Sequence, residues 1–576
     1  MTEAPALLIL LPFAASLICL LARFLRRPLL AQVVAAVSVA GILLILFLLL
    51  PVLRGPLPIA YAMGGWAEPL GITLYLDALA WTASVMGTVI GLCALLFAFG
   101  ERSYRSDFYF FFLMLMAGME GVILTGDLFN MFVFIEIVSI SSYLLIAYSL
   151  DPAKLWASLR YLLLSSLSIA IFLLGLFLIY RSTGTFSLRL IQESLSPGAV
   201  PTAASTSAAG SVKVLSLAAA ALTVGAGLKA AFVPLHTWLP DAHAAAPHPV
   251  SALLSGVMIK ISFLAVWRIL SALSATGIQA LFRWLGPLTA LLAVVLALSQ
   301  TDSKRLLAFH SVSQMGLITA AFGASAGAGS AGLSASLAHV ISHSLFKSLL
   351  FLSVGAAIHV TGRRNLQDRG TVAAPSWLMP FFLVGALSIS GLPPFNGYVS
   401  KTLVVSLFKS SPLLRTALRL TSIGTAASML KLSGMFRRGA SGPLPAAGMV
   451  VRSPRSRLSP FCPVALSLLA LLCLAGGLAP GLLMRTLVFP AVGIPGTRFP
   501  SVYTARHLIE SGIYAALAVG LYLLVRTRRA RTVAKWVRGL RLSLDGSLLL
   551  VVAAVLLFAL LGVVHGGGLY RILFSG

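Results

Sequence analysis

Apolar runs of roughly 18 to 25 residues recur from one end of the chain to the other, each long enough for a helix to cross the ~30 Å hydrocarbon layer of a bilayer. Nothing else in the sequence limits its fold so severely, because every backbone N–H and C=O inside lipid must be satisfied within the spanning structure. The period-two alternation of a membrane barrel is absent. Composition agrees: of 576 residues, 59% are apolar and 10% charged, outside the range of soluble globular proteins. The chain reads as an all-α polytopic membrane protein.

The expected spans are 5–23, 29–53, 73–99, 107–126, 128–149, 157–180, 212–233, 247–270, 278–298, 305–324, 332–360, 376–408, 413–436, 461–485, 505–526 and 545–566, about sixteen in all. The first opens with an acidic residue, Glu3, so it is expected to be a retained span and not a cleaved signal peptide. Residues 1–490 read as one membrane core and 491–576 as a C-terminal extension with two further spans. No soluble domain is expected, and the second half of the loop 181–212, rich in Ser, Ala, Pro and Gly, reads as poorly ordered.

The formal net charge of +27 follows these spans. Connections after odd-numbered spans hold more than half of the 42 lysines and arginines, among them "RFLRR", "RRNLQDR", the arginines between 437 and 457, and "RTRRARTVAKWVRGLR". The positive-inside bias therefore puts those connections in the cytoplasm and both termini outside. Nucleic acid is not needed to explain the basic excess. In 526–541, Val533, Trp536, Val537 and Leu540 recur at helical spacing between basic residues, the pattern of a short helix in the membrane interface; a basic loop is the alternative.

Four cysteines, Cys19, Cys93, Cys462 and Cys473, lie singly in apolar runs. Neither a disulfide framework nor a metal or iron–sulfur site is expected, and CxxCH, GxGxxG and P-loop patterns are missing. We therefore expect no cofactor and no redox centre in this chain.

Ionisable residues inside the spans carry the functional signal. In "HVISHSLFKSLLFL", His339, His343 and Lys347 recur every fourth residue and form one helical stripe. Glu136, Lys229, Lys260 and Lys401 lie in four other apolar spans, with Glu120 and Lys431 in two more. An ionised side chain at mid-bilayer costs about 2.5 to 3.5 kcal/mol on the lenient insertion scale. For this set the uncompensated cost exceeds roughly 20 kcal/mol, more than an ordinary domain's stability. A hydrated, mutually paired network explains the set more economically than isolated snorkelling lysines. Lysine and histidine suit such a network because modest changes of surroundings move their protons.

Prolines interrupt two of these spans. Pro234 and Pro240 follow Lys229, and Pro393 and Pro394 precede Lys401. The breaks are five spans apart, and Lys260 in the eighth span has a counterpart in Lys431 of the thirteenth. Broken helices at corresponding places are the sign of an inverted repeat, here about 107–270 against 278–436, with ordinary proline kinks the alternative.

The segments "GLKAAFVPLHTWLPDAHAAAPHPVSALLSGVMIK", "TDSKRLLAFHSVSQMGLI" and "HVISHSLFKSLLFL" resemble the signature segments of the antiporter-like subunits shared by respiratory complex I, energy-converting membrane hydrogenases and Mrp-type cation/proton antiporters. "GGWAEPLGITLYLDAL" and "TGDLFNMFVFIEIVSISSYLL" look closest to the D-type Mrp subunit. The resemblance implies a core of fourteen spans with two inverted five-helix repeats and broken helices 7 and 12. It implies a proton relay through Glu136, Lys229, Lys260, His339, His343, Lys347 and Lys401, with His236 in the first break counted beside them. It also implies a prokaryotic inner-membrane location, other membrane subunits as partners, and protons, with Na⁺ as a possible second ion, as the transported species. The expected function is a proton-translocating subunit of a multisubunit complex. The alternatives are an autonomous Na⁺/H⁺ antiporter and a structural anchor with vestigial charges.

Overall fold

The computed structural model describes residues 2–51, 55, 58–99, 101, 103–196, 208–367, 374–436, 458–497, 499–540 and 542–566. Helices dominate them. Two apolar helices, α1 (Ala4–Phe24) and α2 (Pro28–Leu48), precede a small antiparallel hairpin, β1 (Ile59–Ala62) and β2 (Thr73–Leu76), in which Ile59 pairs with Leu76. Next come α3 (Ala78–Ala98), α4 (Ser106–Leu124), α5 (Leu128–Ile146), α6 (Pro152–Thr183) and the short α7 (Leu188–Ser194). The chain continues through α8 (Ala208–Ala230), α9 (Leu239–Ala245), α10 (His248–Leu253), a π-helical turn Leu254–Met258, and α11 (Ile259–Ala272).

The following stretch has α12 (Thr276–Ser299), α13 (Ser303–Ala328), α14 (Ser330–Thr361), α15 (Leu378–Ser390), α16 (Asn396–Ser406) and α17 (Pro412–Leu432). After these stand α18 (Cys462–Leu478), α19 (Pro480–Leu483), α20 (Phe489–Ala491), α21 (Ala505–Val525), α22 (Arg528–Gly539) and α23 (Leu544–Gly566). Residues 197–207, in the loop read as poorly ordered, and the arginines between 437 and 457 lie outside the described residues.

Local chemistry starts and stops these helices. Asp77, Asp127 and Asp302 cap α3, α5 and α13, each accepting a hydrogen bond from a first-turn N–H at 2.6, 2.7 and 2.9 Å, which satisfies a donor the helix leaves unmet. Gly184, Gly362 and Gly391 end α6, α14 and α15 in the left-handed conformation. Small residues let α12 and α13 touch backbone to backbone: a Cβ on Gly286 would stand 2.3 Å from the Ala320 nitrogen. Such close approach is how helices associate where lipid offers no hydrophobic drive.

Helical elements occupy all sixteen expected places, but they do not all qualify as spans. Among the described residues, twelve are long and apolar enough to cross a membrane, or fourteen if each of two bent pairs is one span. The 376–408 place is divided into α15 and α16 by Gly391 to Phe395, and α17 is less apolar because it carries Arg415, Arg419 and Lys431. The segment 461–485 is not straight: α18 meets Pro480–Ala491 at 96°.

The centre of the bundle is the stretch His248–Ala272 with α13, both buried throughout their apolar windows, while few residues of α21 are buried. Around this centre pack α14, α8, α3 and α16. The C-terminal elements run along the outside: α21 lies on α17, α22 against α12, and α23 against α8, α6 and α12.

Candidate functional site

The stripe on α14 points into the bundle. His339, His343 and Lys347 are all fully buried, and the rings of His339 and His343 stack 6.2 Å apart. His339 Nδ1 meets Ser400 Oγ on α16 at 2.9 Å. Lys347 Nζ donates to the Leu307 carbonyl on α13 and lies 5.4 Å from the centre of the Phe351 ring. Phe351 therefore offers the ammonium a cation–π contact in place of a counter-ion.

The other relay lysines are each held by an oxygen that an irregular backbone or a neighbouring hydroxyl supplies. Lys401 Nζ, on α16, donates to the Ile389 carbonyl at 2.5 Å. That carbonyl is free because, past the end of α15, Gly391 N–H bonds to Ser388 and Leu392 N–H to Leu387. Lys260 Nζ reaches the Ser255 carbonyl inside the π-helical turn, where the widened backbone ladder shifts the usual i−4 pairing. Lys229, fully buried at the end of α8, donates to Ser165 Oγ on α6 at 2.7 Å. After Lys229 the helix stops at Ala231, which has φ of 55°, and the Leu228 carbonyl accepts both from the Ala231 N–H at 3.1 Å and from the Trp238 indole at 2.8 Å.

Charge couplings link these groups across helices. Glu136 on α5 acts on Lys229. Lys347 lies within charge-interaction range of Lys260, and Lys260, Lys347 and Lys401 all lie within such range of His343. His236 sits half-buried in the first break, at the bend before α9. Tyr161, stacked on Trp238 at 4.0 Å, and Ser142 both reach Met258 Sδ with their hydroxyls, at 3.9 and 3.4 Å.

Several residues of the cluster are missing from the sequence expectation. His310 on α13 is fully buried, bonds through Nε2 to Ser428 Oγ on α17, and feels both Lys347 and Lys401. His243 on α9, also fully buried, lies in reach of Lys347, Lys304 and Lys260. Lys304 Nζ donates to the Ala246 carbonyl at the end of α9. The rule that found Glu136 applies equally to His310, an ionisable group in an apolar span; His243 was hidden in a proline-rich segment that reads as a break.

Other expectations part from the cluster. Lys431, set against Lys260 by repeat logic, donates to the Leu298 and Gln300 carbonyls at 2.8 and 2.6 Å. It closes the C-terminal end of α12, where orphan carbonyls and the helix dipole favour a cation. Glu120 is buried on α4 and accepts from Ser84 Oγ at 2.5 Å, a contact between α4 and α3.

Asp241, on α9, is bracketed by Arg160 from α6 and Arg305 from α13, each at 2.8 Å. Arg160 also donates to the Leu542 carbonyl and Ser547 Oγ, at 3.0 and 2.9 Å, tying α23 to this point.

Residues 125–425 match the family described as NADH:quinone oxidoreductase/Mrp antiporter, TM. The chain belongs to this family. It is 31% identical over 434 residues to the D-type subunit of the Na(+)/H(+) antiporter of Alkalihalophilus pseudofirmus, covering 74% of this chain and 85% of that one. It is 35% identical to the N-type subunit of the NADH-quinone oxidoreductase of Desulforudis audaxviator, over 60% of this chain and 69% of that one. Among solved structures, a chain of the Mrp complex from a Dietzia species superposes with a TM-score of 0.74 at 25% identity, over 88% of this chain and all of that one. A chain of the membrane-bound sulfane sulfur reductase, an archaeal respiratory membrane complex, gives 0.73 at 26% identity, over 90% and 100%. As a member of the family, this chain is a multi-pass membrane protein.

Proposed function

We propose that this chain is a proton-translocating membrane subunit of a multisubunit complex, of the Mrp antiporter or complex I and hydrogenase type. The observation that carries the reading is the burial, inside one helical bundle of this family, of ionisable side chains from α8, α11, α13, α14 and α16, with half-buried Glu136 of α5 beside them. The identities of its relatives, which include D-type antiporter and N-type oxidoreductase subunits and Hydrogenase-4 component B of Escherichia coli, support the same reading. So does the assembly of the superposed chains into membrane complexes with other subunits.

In this reading protons pass among Glu136, Lys229, Lys260, His339, His343, Lys347 and Lys401. His310 and His243 extend the path, and His236 stands at its first break. Lys229, Lys260, Lys347 and Lys401 each donate to a neutral oxygen and not to a carboxylate. His343 has no protein partner for either ring nitrogen among the described residues, and neither does the Gln314 amide. Such groups take up water, and water between them completes a chain of donors and acceptors. The membrane potential adds about 2.3 kcal/mol per charge per 100 mV, so the path must be interrupted between its two ends. Lys347, between the two half-channels, is the place for that interruption.

Residues 1–490 form the translocating core, with 107–270 and 278–436 as its inverted repeats, and 491–576 an extension. The bias of basic residues supports cytoplasmic odd-numbered connections and both termini outside.

The test is the assembled complex in sealed vesicles with a fluorescent pH probe. Lys260→Ala or Glu136→Ala abolishes proton movement while the complex still purifies intact; full proton movement in either variant refutes the relay. The chain expressed alone distinguishes the remaining reading, because Na⁺-dependent proton exchange without partners identifies an autonomous antiporter.

A further inference from the structure

A pocket of about 60 Å³ reaches Lys401 from the side of the bundle where α16 ends and α21 begins. Core residues Lys401, Lys409 and Arg415 line part of it, and His507, Glu510 and Tyr514, all on α21, line the rest. Helix α21 lies beyond the family match, which stops at residue 425. An ion pair of Glu510 with Arg419 of α17 at 3.1 Å holds it in place, and Arg506, one turn earlier on α21, also pairs with Glu510 at 3.3 Å. Small residues, Ala426, Ala427 and Ala518, pack the α17–α21 contact.

We propose that α21 forms the outer mouth of the path, through which Lys401 exchanges protons with the aqueous phase outside. The inference rests on Lys401 belonging to the relay. The segment after α16 and the start of α21 are both even-numbered connections, placed outside by the charge bias. His507 Nδ1 bonds to the Val502 carbonyl at 3.2 Å, which fixes that nitrogen as the donor and leaves Nε2 to accept. A proton leaving the Lys401 ammonium yields the neutral amine and passes through water to His507 Nε2, which releases it outward.

The lining also sets selectivity. Lys409 and Arg415 face the pocket, and the Glu510 carboxylate is already engaged by two arginines and by Tyr514 OH at 3.5 Å. A metal cation needs several oxygen ligands, and here it meets fixed positive charge, which repels cations in narrow passages. A proton moving by way of water, hydroxyl and imidazole does not need an ion to enter.

The experiment is thiol blocking in the intact complex, in vesicles of known orientation. All four native cysteines are buried. Ala515→Cys lines the pocket from α21, and its own untreated rate is the reference for each treatment. A membrane-impermeant anionic methanethiosulfonate added to the outer face then stops translocation, dithiothreitol restores it, and a cationic analogue reacts about tenfold more slowly. Ile513→Cys, exposed on another face of α21, keeps its activity under the same treatment. Ser422→Cys, lining the pocket from α17, repeats the result if Ala515→Cys does not assemble.

Unimpaired translocation after modification at both pocket positions, or reaction from the inner face alone, overturns the mouth. Lys401→Ala, run in parallel, separates the two ideas. Loss there with no effect of blocking refutes the mouth and keeps the relay, whereas full activity of Lys401→Ala refutes the relay itself.

Discussion

Gly391→Ala tests whether the break between α15 and α16 holds Lys401. Gly391 has φ of 76° and ψ of 39°, and for an L-residue this left-handed conformation costs about 1–2 kcal/mol. The new methyl would stand 2.9 Å from Lys401 Cδ, so the lysine stem must swing away. Its ammonium then loses the Ile389 carbonyl, at 2.5 Å, and a hydrogen bond to a charged group is worth about 1.5–3 kcal/mol. The two effects together come to about 2.5–5 kcal/mol. If the loss of the hydrogen bond appears in the rate of proton transfer, translocation falls about 10- to 100-fold. Proton uptake by vesicles reads the rate, and thermal unfolding of the purified complex reads the stability. Gly520→Ala on α21, where a Cβ meets open space, is the control and leaves both unchanged or slightly improved. Native rate and native stability in Gly391→Ala would refute the argument.

Three further outcomes follow from contacts elsewhere. Arg160→Ala removes the tie to Leu542 and Ser547 but leaves Asp241 paired with Arg305; we expect a loss of about 1–3 kcal/mol, seen as faster protease cleavage between α22 and α23, and unchanged cleavage would contradict the tie. Ser428→Ala strips His310 Nε2 of its partner; translocation should fall while the complex stays assembled, and Ser428→Thr should restore it. Glu68, in the loop before β2, is partly desolvated, which pushes its pKa up, but hydrogen bonds from Tyr75, Ser187 and Arg189 outweigh this and hold it below the ordinary glutamate value. A depressed folded-state pKa stabilises above the unfolded value and the benefit is lost as pH falls through the folded one. Unfolding curves of the wild type and Glu68→Gln should therefore differ near neutral pH and converge in acid; a gap that persists in acid would rule this out.

Span positions were legible because lipid imposes a length and a composition on any helix crossing it, and α1, α6 and α14 begin and end within a few residues of the expected limits. The stripe of His339, His343 and Lys347 was legible for the same reason, since an ionisable group in lipid must turn inward. The count was less secure: α15 is too short to pass as a span alone, and α17 is too polar, because neighbours in the bundle and not lipid cover their polar faces. Lys431 shows where pattern logic misled, for the end of α12 that it closes is 131 residues away in sequence.

The sequence by itself determined that this chain lives in a membrane, which family it resembles, and which side chains are too costly to be accidental. Only the tertiary structure decided what holds each lysine: a π-helical turn for Lys260, a helix end for Lys401, a hydroxyl from α6 for Lys229. The reason is physical. Hydropathy is a property of one segment facing its solvent, whereas the carbonyls and hydroxyls that bind an ammonium come from other segments, and backbone irregularity exposes them only once those segments have packed.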